Sequence, residues 1–180
     1  MSRIQSLIAV VVFLAISAPP SAIAENRNRE RTSPIWSDGL SARRSSTIAA
    51  EVILAAMNRE RTARGLRPLR LNQKLSLAAN DRIGDMFSKR YFAHVAPDGL
   101  QPFTWARQRG YRYRLIGENL AVGYRGKSVV EGWMNSRGHR ENILQRGFDE
   151  VGIAIADGAP QRGYRGPTVV AMYGTAASAR

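Results

Sequence analysis

Apolar positions recur at helical spacing in the first two thirds of the chain and at strand spacing in the last third. In "STIAAEVILAAMNRERTARG", Ile48, Val52, Ala55, Ala56 and Arg59 fall at helical intervals. Ser or Thr can cap the start and Gly65 ends it, so the pattern predicts a helix from Ser46 to Gly65. "LNQKLSLAANDRIGDMFSKRYF" repeats the pattern with Leu75, Ala78, Ala79, Ile83, Met86 and Phe87 behind a capping Asn72, predicting a second helix that ends near His94. "QPFTWARQRG", with Pro near its start and Gly at its end, predicts a short third helix, and "SVVEGWMNS" a fourth. "GHRENIL" reads as a further helical turn that sets Ile143 and Leu144 into the core. The period then changes. "FDEVGIAIA" and "PTVVAMYGT" are β-branched and apolar, and "DGAPQRGYRG" between them reads as a Gly-rich loop joining two antiparallel strands. Helices followed by strands in one small domain indicate an α+β fold.

The N-terminus has a different build from the rest of the chain. One arginine, an apolar run from Leu7 to Ile16, Pro19-Pro20 and Ala22-Ile23-Ala24 match the build of a secretory signal peptide, with cleavage expected after Ala24. That run is too short for the ~20 apolar residues of a bilayer span, and no later stretch approaches that length. Residues 1–24 are therefore read as signal peptide, 25–45 as a flexible basic leader, and 46–180 as one domain. No transmembrane segment is expected after cleavage. The apolar segments suffice for a core of ordinary size, so a monomer is expected.

Composition narrows the chemistry. The chain has no cysteine, which excludes disulfides, thiolate metal sites and cysteine nucleophiles, and leaves the fold to its hydrophobic core. The formal charge of +13 suits an anionic partner such as envelope phosphate. The basic residues are mostly arginine, scattered through every segment, and accompany no groove-reading motif, so no specific nucleic-acid partner is read.

The chain has two histidines, both at element ends: His94 in "YFAHVAPDG" and His139 in "SRGHR". Between them, Glu118 of "IGENLAVGY" is an acid among apolar neighbours, expensive to bury unless paired. Taken alone, His139 also fits a solvated or helix-capping histidine. Trp105 and Trp133 read as core, Asn119 and Asn135 as side chains that bond loop backbone. Arg140 is either paired with a carboxylate or solvated.

In this order, "YFAHVAPDG", "GENLAVGY", "VVEGWMNSRGHRENIL" and "FDEVGIAIA" resemble the motif series of the CAP superfamily (cysteine-rich secretory, antigen 5 and pathogenesis-related proteins; SCP-like domains), in particular its cysteine-free bacterial branch. The resemblance runs from about Ser46 to about Thr175. It implies an α-β-α sandwich, a central antiparallel sheet flanked by helices, with a groove at two histidines and two acids. His94, Glu118 and His139 match three of these four. The family usually has a glutamate five residues before the tryptophan, where this chain has Ser128. Ser128-Val129-Val130-Glu131 has the form of a capping box, which makes Glu131 a cap partner more than a displaced acid of the groove.

Two imidazoles facing one open position suit Zn²⁺ or another divalent cation, with His94 and His139 as ligands and Glu118 as third ligand or as a group fixing a histidine tautomer. Without metal, His94, Glu118 and His139 are the candidates for catalysis, a His-Glu pair acting as general base. Ser136 with His139 is a weaker candidate pair. Two functional readings follow. The favoured one is an exported binding module whose cleft engages an envelope or extracellular lipid, glycan or peptide. The alternative is a hydrolase of peptide or cell-wall material. The missing fourth acid favours the first.

Overall fold

The structure is a computed structural model that describes residues 9–12, 16–17 and 35–177, with side chains described from Ser46 onward. The expected cleavage point after Ala24 lies outside the described residues. In chain order the elements are β1 (Ala9–Val12), β2 (Ile16–Ser17), α1 (Ile35–Thr62), β3 (Arg70–Leu71), α2 (Gln73–Lys89), α3 (Phe103–Gln108), β4 (Tyr113–Val122), α4 (Lys127–Asn135), α5 (Arg137–Leu144), β5 (Glu150–Ala156) and β6 (Thr168–Ala176).

The sheet runs β1-β4-β6-β5-β3, with β2 also on β4. Its centre is antiparallel: β6 pairs with β4 on one side and β5 on the other, and the Gly-rich loop joins β5 to β6 as the sequence pattern predicts. The rims are parallel, β3 on β5 and both β1 and β2 on β4. β4 was not read as a strand from sequence, because Gly117, Glu118 and Asn119 interrupt its apolar run.

Period-2 alternation sends successive residues of one strand to opposite layers. In β6, Val170 and Met172 join Leu75, Ala79, Ile83 and Met86 of α2 and Trp105 of α3. Val169, Ala171 and Tyr173 join Ile53 and Met57 of α1, Val129, Val130 and Trp133 of α4, and Ile143 of α5. The result is helix, sheet, helix, an α-β-α sandwich with a core on each face of the sheet. Both cores are built from residues between Ala50 and Tyr173. Each fully buried Leu, Ile, Val or Met side chain contributes about 1.5–3 kcal/mol.

Several local readings are corrected. α1 begins at Ile35, within the stretch read as leader. Its buried stripe is Ile53, Ala56, Met57 and Arg61, whereas Ile48 and Val52 are exposed. Arg61 is 1% exposed and donates to the carbonyls of Arg67 (2.8 Å), Ile143 (2.7 Å), Gln145 (3.0 Å) and Phe148 (3.0 Å). One guanidinium thus ties the end of α1 to the chain leaving α5. α2 is capped as expected, Asn72 Oδ1 accepting from the Lys74 and Leu75 amides, but it stops at Lys89. Arg90 takes a left-handed C-cap conformation, which turns the chain toward the sheet and delivers His94 from a loop. α2 also lies close on β5. A Cβ at Gly152 would sit 2.0 Å from the Leu75 carbonyl carbon and 2.1 Å from the Ser76 amide nitrogen, so only glycine admits this approach.

The capping box does not form. The N-cap of α4 is Gly126, and the Ser128 hydroxyl turns back to Arg125, donating to its carbonyl (2.8 Å) and accepting from its amide (3.1 Å). Glu131 is exposed, on a surface groove between α1 and α4 beside Arg59, Glu60 and Lys127.

Candidate functional site

Glu118 lies mid-strand in β4, opposite Met172 of β6. It is 1% exposed and both its oxygens are engaged. Oε1 lies 2.7 Å from His94 Nδ1, and Oε2 accepts from Arg82 Nε at 3.1 Å. A carboxylate only accepts, so the neutral His94 ring carries its proton on Nδ1 and presents Nε2 unprotonated.

Arg82 was not singled out from sequence, and it organises this half of the site. It lies on the buried stripe of α2, 0% exposed, beside Trp105 (4.6 Å from ring centroid) and Tyr91 (5.2 Å). Besides Glu118 it donates to the Tyr91 hydroxyl and to the carbonyls of Ala93 and His94, the last at 2.8 Å. It therefore fixes both the acid and the loop that carries the histidine. Tyr91 in turn donates to Asp85, and burial, then that bond, raises its phenol well above the usual value.

Asn119, next in β4, faces the opposite layer. Its amide donates to the His139 carbonyl (3.1 Å) and the Tyr173 hydroxyl (3.1 Å), while its Oδ1 accepts from Asn142 Nδ2 (2.8 Å). Asn142 also donates to the Glu118 carbonyl at 3.1 Å. A Cβ at Gly117 would lie 2.9 Å from both Asn142 Oδ1 and Phe148 Cζ, so the missing side chain there lets α5 close on β4. These bonds hold His139, 0% exposed, with its Nδ1 2.8 Å from Ser136 Oγ. Burial, and then the neighbouring His94, push its pKa down to about 4, so His139 is neutral at physiological pH.

His94, Glu118 and His139 are thus gathered around β4, but the site is nearly closed, only His94 reaching 8% exposure. Three side-chain polar atoms among the described residues are left over, buried without a hydrogen-bond partner: Nε2 of His94, Nε2 of His139 and Oδ1 of Asn142. Among the described residues no group of three or more His, Asp or Glu is placed to hold a metal ion, since Glu118 is taken by Arg82 and His94. Of the other residues read from sequence, Trp105 and Trp133 are buried, and the Trp133 indole donates to the Leu120 carbonyl at 3.1 Å. Arg140 donates to the Met134 carbonyl at 3.0 Å, Ile143 is buried, and Asn135 is exposed. Among the described residues no helix is long and apolar enough to cross a membrane.

The chain is similar in sequence to two curated proteins. The chain is 38% identical over 106 residues to the uncharacterized protein YkwD of Bacillus subtilis, covering 58% of this chain and 41% of that one. It is 30% identical over 110 residues to the uncharacterized membrane protein YlbC of the same organism, covering 61% and 32%. The chain thus spans less than half the length of these curated relatives. In fold it is similar to an outer surface protein of Borrelia burgdorferi (TM-score 0.64, 19% identity, 72% of this chain and 93% of that one). It is also similar to an extracellular protein containing a SCP domain from Bacillus anthracis (TM-score 0.63, 22% identity, 79% and 45%). The profile of CAP, the cysteine-rich secretory protein family, matches residues 54–173, which takes in α2 through β5, most of β6 and all three gathered side chains, and the chain belongs to that family.

Proposed function

We propose that this protein is an exported binding module whose His94–Glu118–His139 site takes a polar group of an envelope or extracellular ligand, with a divalent cation such as Zn²⁺ as the ion its two imidazoles would hold. The observation that carries this reading is the pair of buried, unpartnered Nε2 atoms. A buried polar atom without a partner is costly, and a bound group that pairs with it recovers that cost. Glu118 supports recognition more than catalysis, because both its oxygens are engaged and neither is left to draw a proton from water. Export rests on the build of residues 1–24.

One contact favours the hydrolase reading: Ser136 lies 2.8 Å from the Nδ1 of a histidine that stays neutral. A Ser-His pair needs a third group on the far nitrogen of the base to orient it. His139 Nε2 has none, which leaves binding as the better account. The test is to incubate the chain from Glu25 with envelope extract and to analyse both retained and cleaved material by mass spectrometry. Retention that is lost in His94→Gln and His139→Gln, with folding verified by circular dichroism and no new fragments, is expected. New cleavage products that disappear in Ser136→Ala would overturn the reading.

A further inference from the structure

Ser136 lies at the junction of α4 and α5 with its backbone committed on both sides. Its amide donates to the Trp133 carbonyl at 3.1 Å, closing α4, and its carbonyl accepts from the Arg140 amide at 2.9 Å, opening α5. An N-cap serine ordinarily turns its oxygen to the second or third amide of the helix. Here no side-chain cap bond forms, and the hydroxyl lies 2.8 Å from Nδ1 of His139, the third residue of α5. The helix forgoes a cap, and the hydroxyl serves an imidazole instead.

The two imidazoles are therefore held by different chemistries. Glu118 only accepts, which keeps a proton on Nδ1 of His94, so in the neutral ring Nε2 is a lone pair. A hydroxyl both donates and accepts. Ser136 either takes the Nδ1 proton of His139, or gives its own proton to Nδ1 while the ring proton sits on Nε2. Burial, and then His94, keep His139 neutral at pH 7, so the ring is in one of these two forms. In the first form both buried Nε2 atoms are lone pairs. In the second, His94 offers a lone pair and His139 an N–H.

We propose that Ser136 makes His139 adaptable, and that the polar group this site takes from its ligand is a hydroxyl, which donates to Nε2 of His94 and accepts from Nε2–H of His139. The hydroxyl deepens the binding-module reading and rests on it in taking both Nε2 atoms to face one ligand group. An ionised carboxylate only accepts, so it meets a lone pair at His94 and is refused. A divalent cation draws the other form, in which both rings offer lone pairs. Sugars and lipid alcohols both carry the required hydroxyl, and the choice between them is left to the probes below.

The experiment follows both rings by long-range proton–nitrogen NMR of the whole chain at pH 7. Methyl glucoside is the sugar probe, octanol the lipid-like probe, and acetate the acceptor-only control. In the free chain His139 is expected to exchange between its two forms, its ring nitrogens at intermediate shifts. Zn²⁺ should move it to the Nδ1–H form. One of the two alcohols should move it to the Nε2–H form, which names the source of the hydroxyl, and acetate should move neither ring. Ser136→Asp supplies an acceptor only, so it should hold His139 in the Nδ1–H form, abolish the response to the alcohol and bind Zn²⁺ about tenfold more tightly. Ser136→Thr keeps a hydroxyl and should behave as the wild type. A single fixed form of His139 in the free wild type, no response to either alcohol, a response to acetate, or an alcohol response that survives in Ser136→Asp would overturn the proposal. The binding-module reading fails separately: envelope material retained equally by the wild type and Ser136→Asp keeps the module and removes the hydroxyl, whereas no retention by the wild type removes the module whatever form His139 takes.

Discussion

Arg82 and Glu118 form an ion pair that solvent scarcely reaches, Nε 3.1 Å from Oε2 with side chains 0% and 2% exposed. The pair joins α2 to β4, and through its remaining donors Arg82 also fixes the loop carrying His94. Removing one member of such a pair strands the other. Arg82→Met is expected to cost about 3–5 kcal/mol, read by urea unfolding. Glu118→Gln, which keeps an acceptor, should cost less, about 1–3 kcal/mol. The double variant should cost less than the sum of the two singles.

His139 gives stability a pH dependence of known sign. Its pKa falls from 6.5 to about 4 on folding, because burial and His94 disfavour its charged form. Between those values the unfolded chain binds a proton that the folded chain refuses. The contribution is therefore complete above about pH 6.5 and is lost as pH falls toward 4, up to about 3 kcal/mol. Unfolding curves from pH 7 to 4 should show this slope in the wild type, and His139→Gln should flatten it.

Gly152→Ala tests the close approach of α2 to β5. The added carbon meets the backbone of Leu75 and Ser76, not the end of a movable side chain, so the helix itself must shift. A loss at or above the upper end of the usual 1–3 kcal/mol for overpacking is expected in thermal unfolding.

Ser128 and Glu131 should behave as unrelated residues. Ser128→Ala removes two bonds to the Arg125 backbone and is expected to cost about 0.5–1.5 kcal/mol. Glu131 is exposed on the α1/α4 groove, and Glu131→Gln should change stability by less than about 0.5 kcal/mol. A double-mutant cycle between them should show no coupling.

The fold was legible in sequence wherever hydrophobic period and caps agreed. Asn72 opens α2 as read, and the alternating apolar run of β6 feeds both layers. β4 was not legible, because its centre carries Gly117, Glu118 and Asn119, which are poor strand formers placed there by their contacts with Asn142, Arg82 and His139. The three site residues were reached through motif order, since side chains from a loop, a strand and a helix share no local spacing. Arg82 and Arg61 were not singled out. A signal was present: each occupies the buried helical stripe, Arg82 among Leu75, Ala79, Ile83 and Met86, Arg61 behind Ile53 and Met57. A charge on an apolar stripe must find partners inside the protein. The apparent capping box failed because Gly126 lies two residues before Ser128 and begins the helix there.

The central claim is that His94 and His139 jointly present two free Nε2 atoms to a ligand. Long-range proton–nitrogen NMR of the imidazoles tests it most directly, because the chain has only two histidines. At pH 7 the spectrum is expected to show a neutral His139 ring and a proton on His94 Nδ1 through its bond to Glu118, and Zn²⁺ should shift both Nε2 resonances together. Glu118→Gln should weaken that response about 10-fold or more, as loss of an orienting carboxylate does. A His94 protonated on Nε2, or a Zn²⁺ titration that moves neither Nε2, would contradict the account.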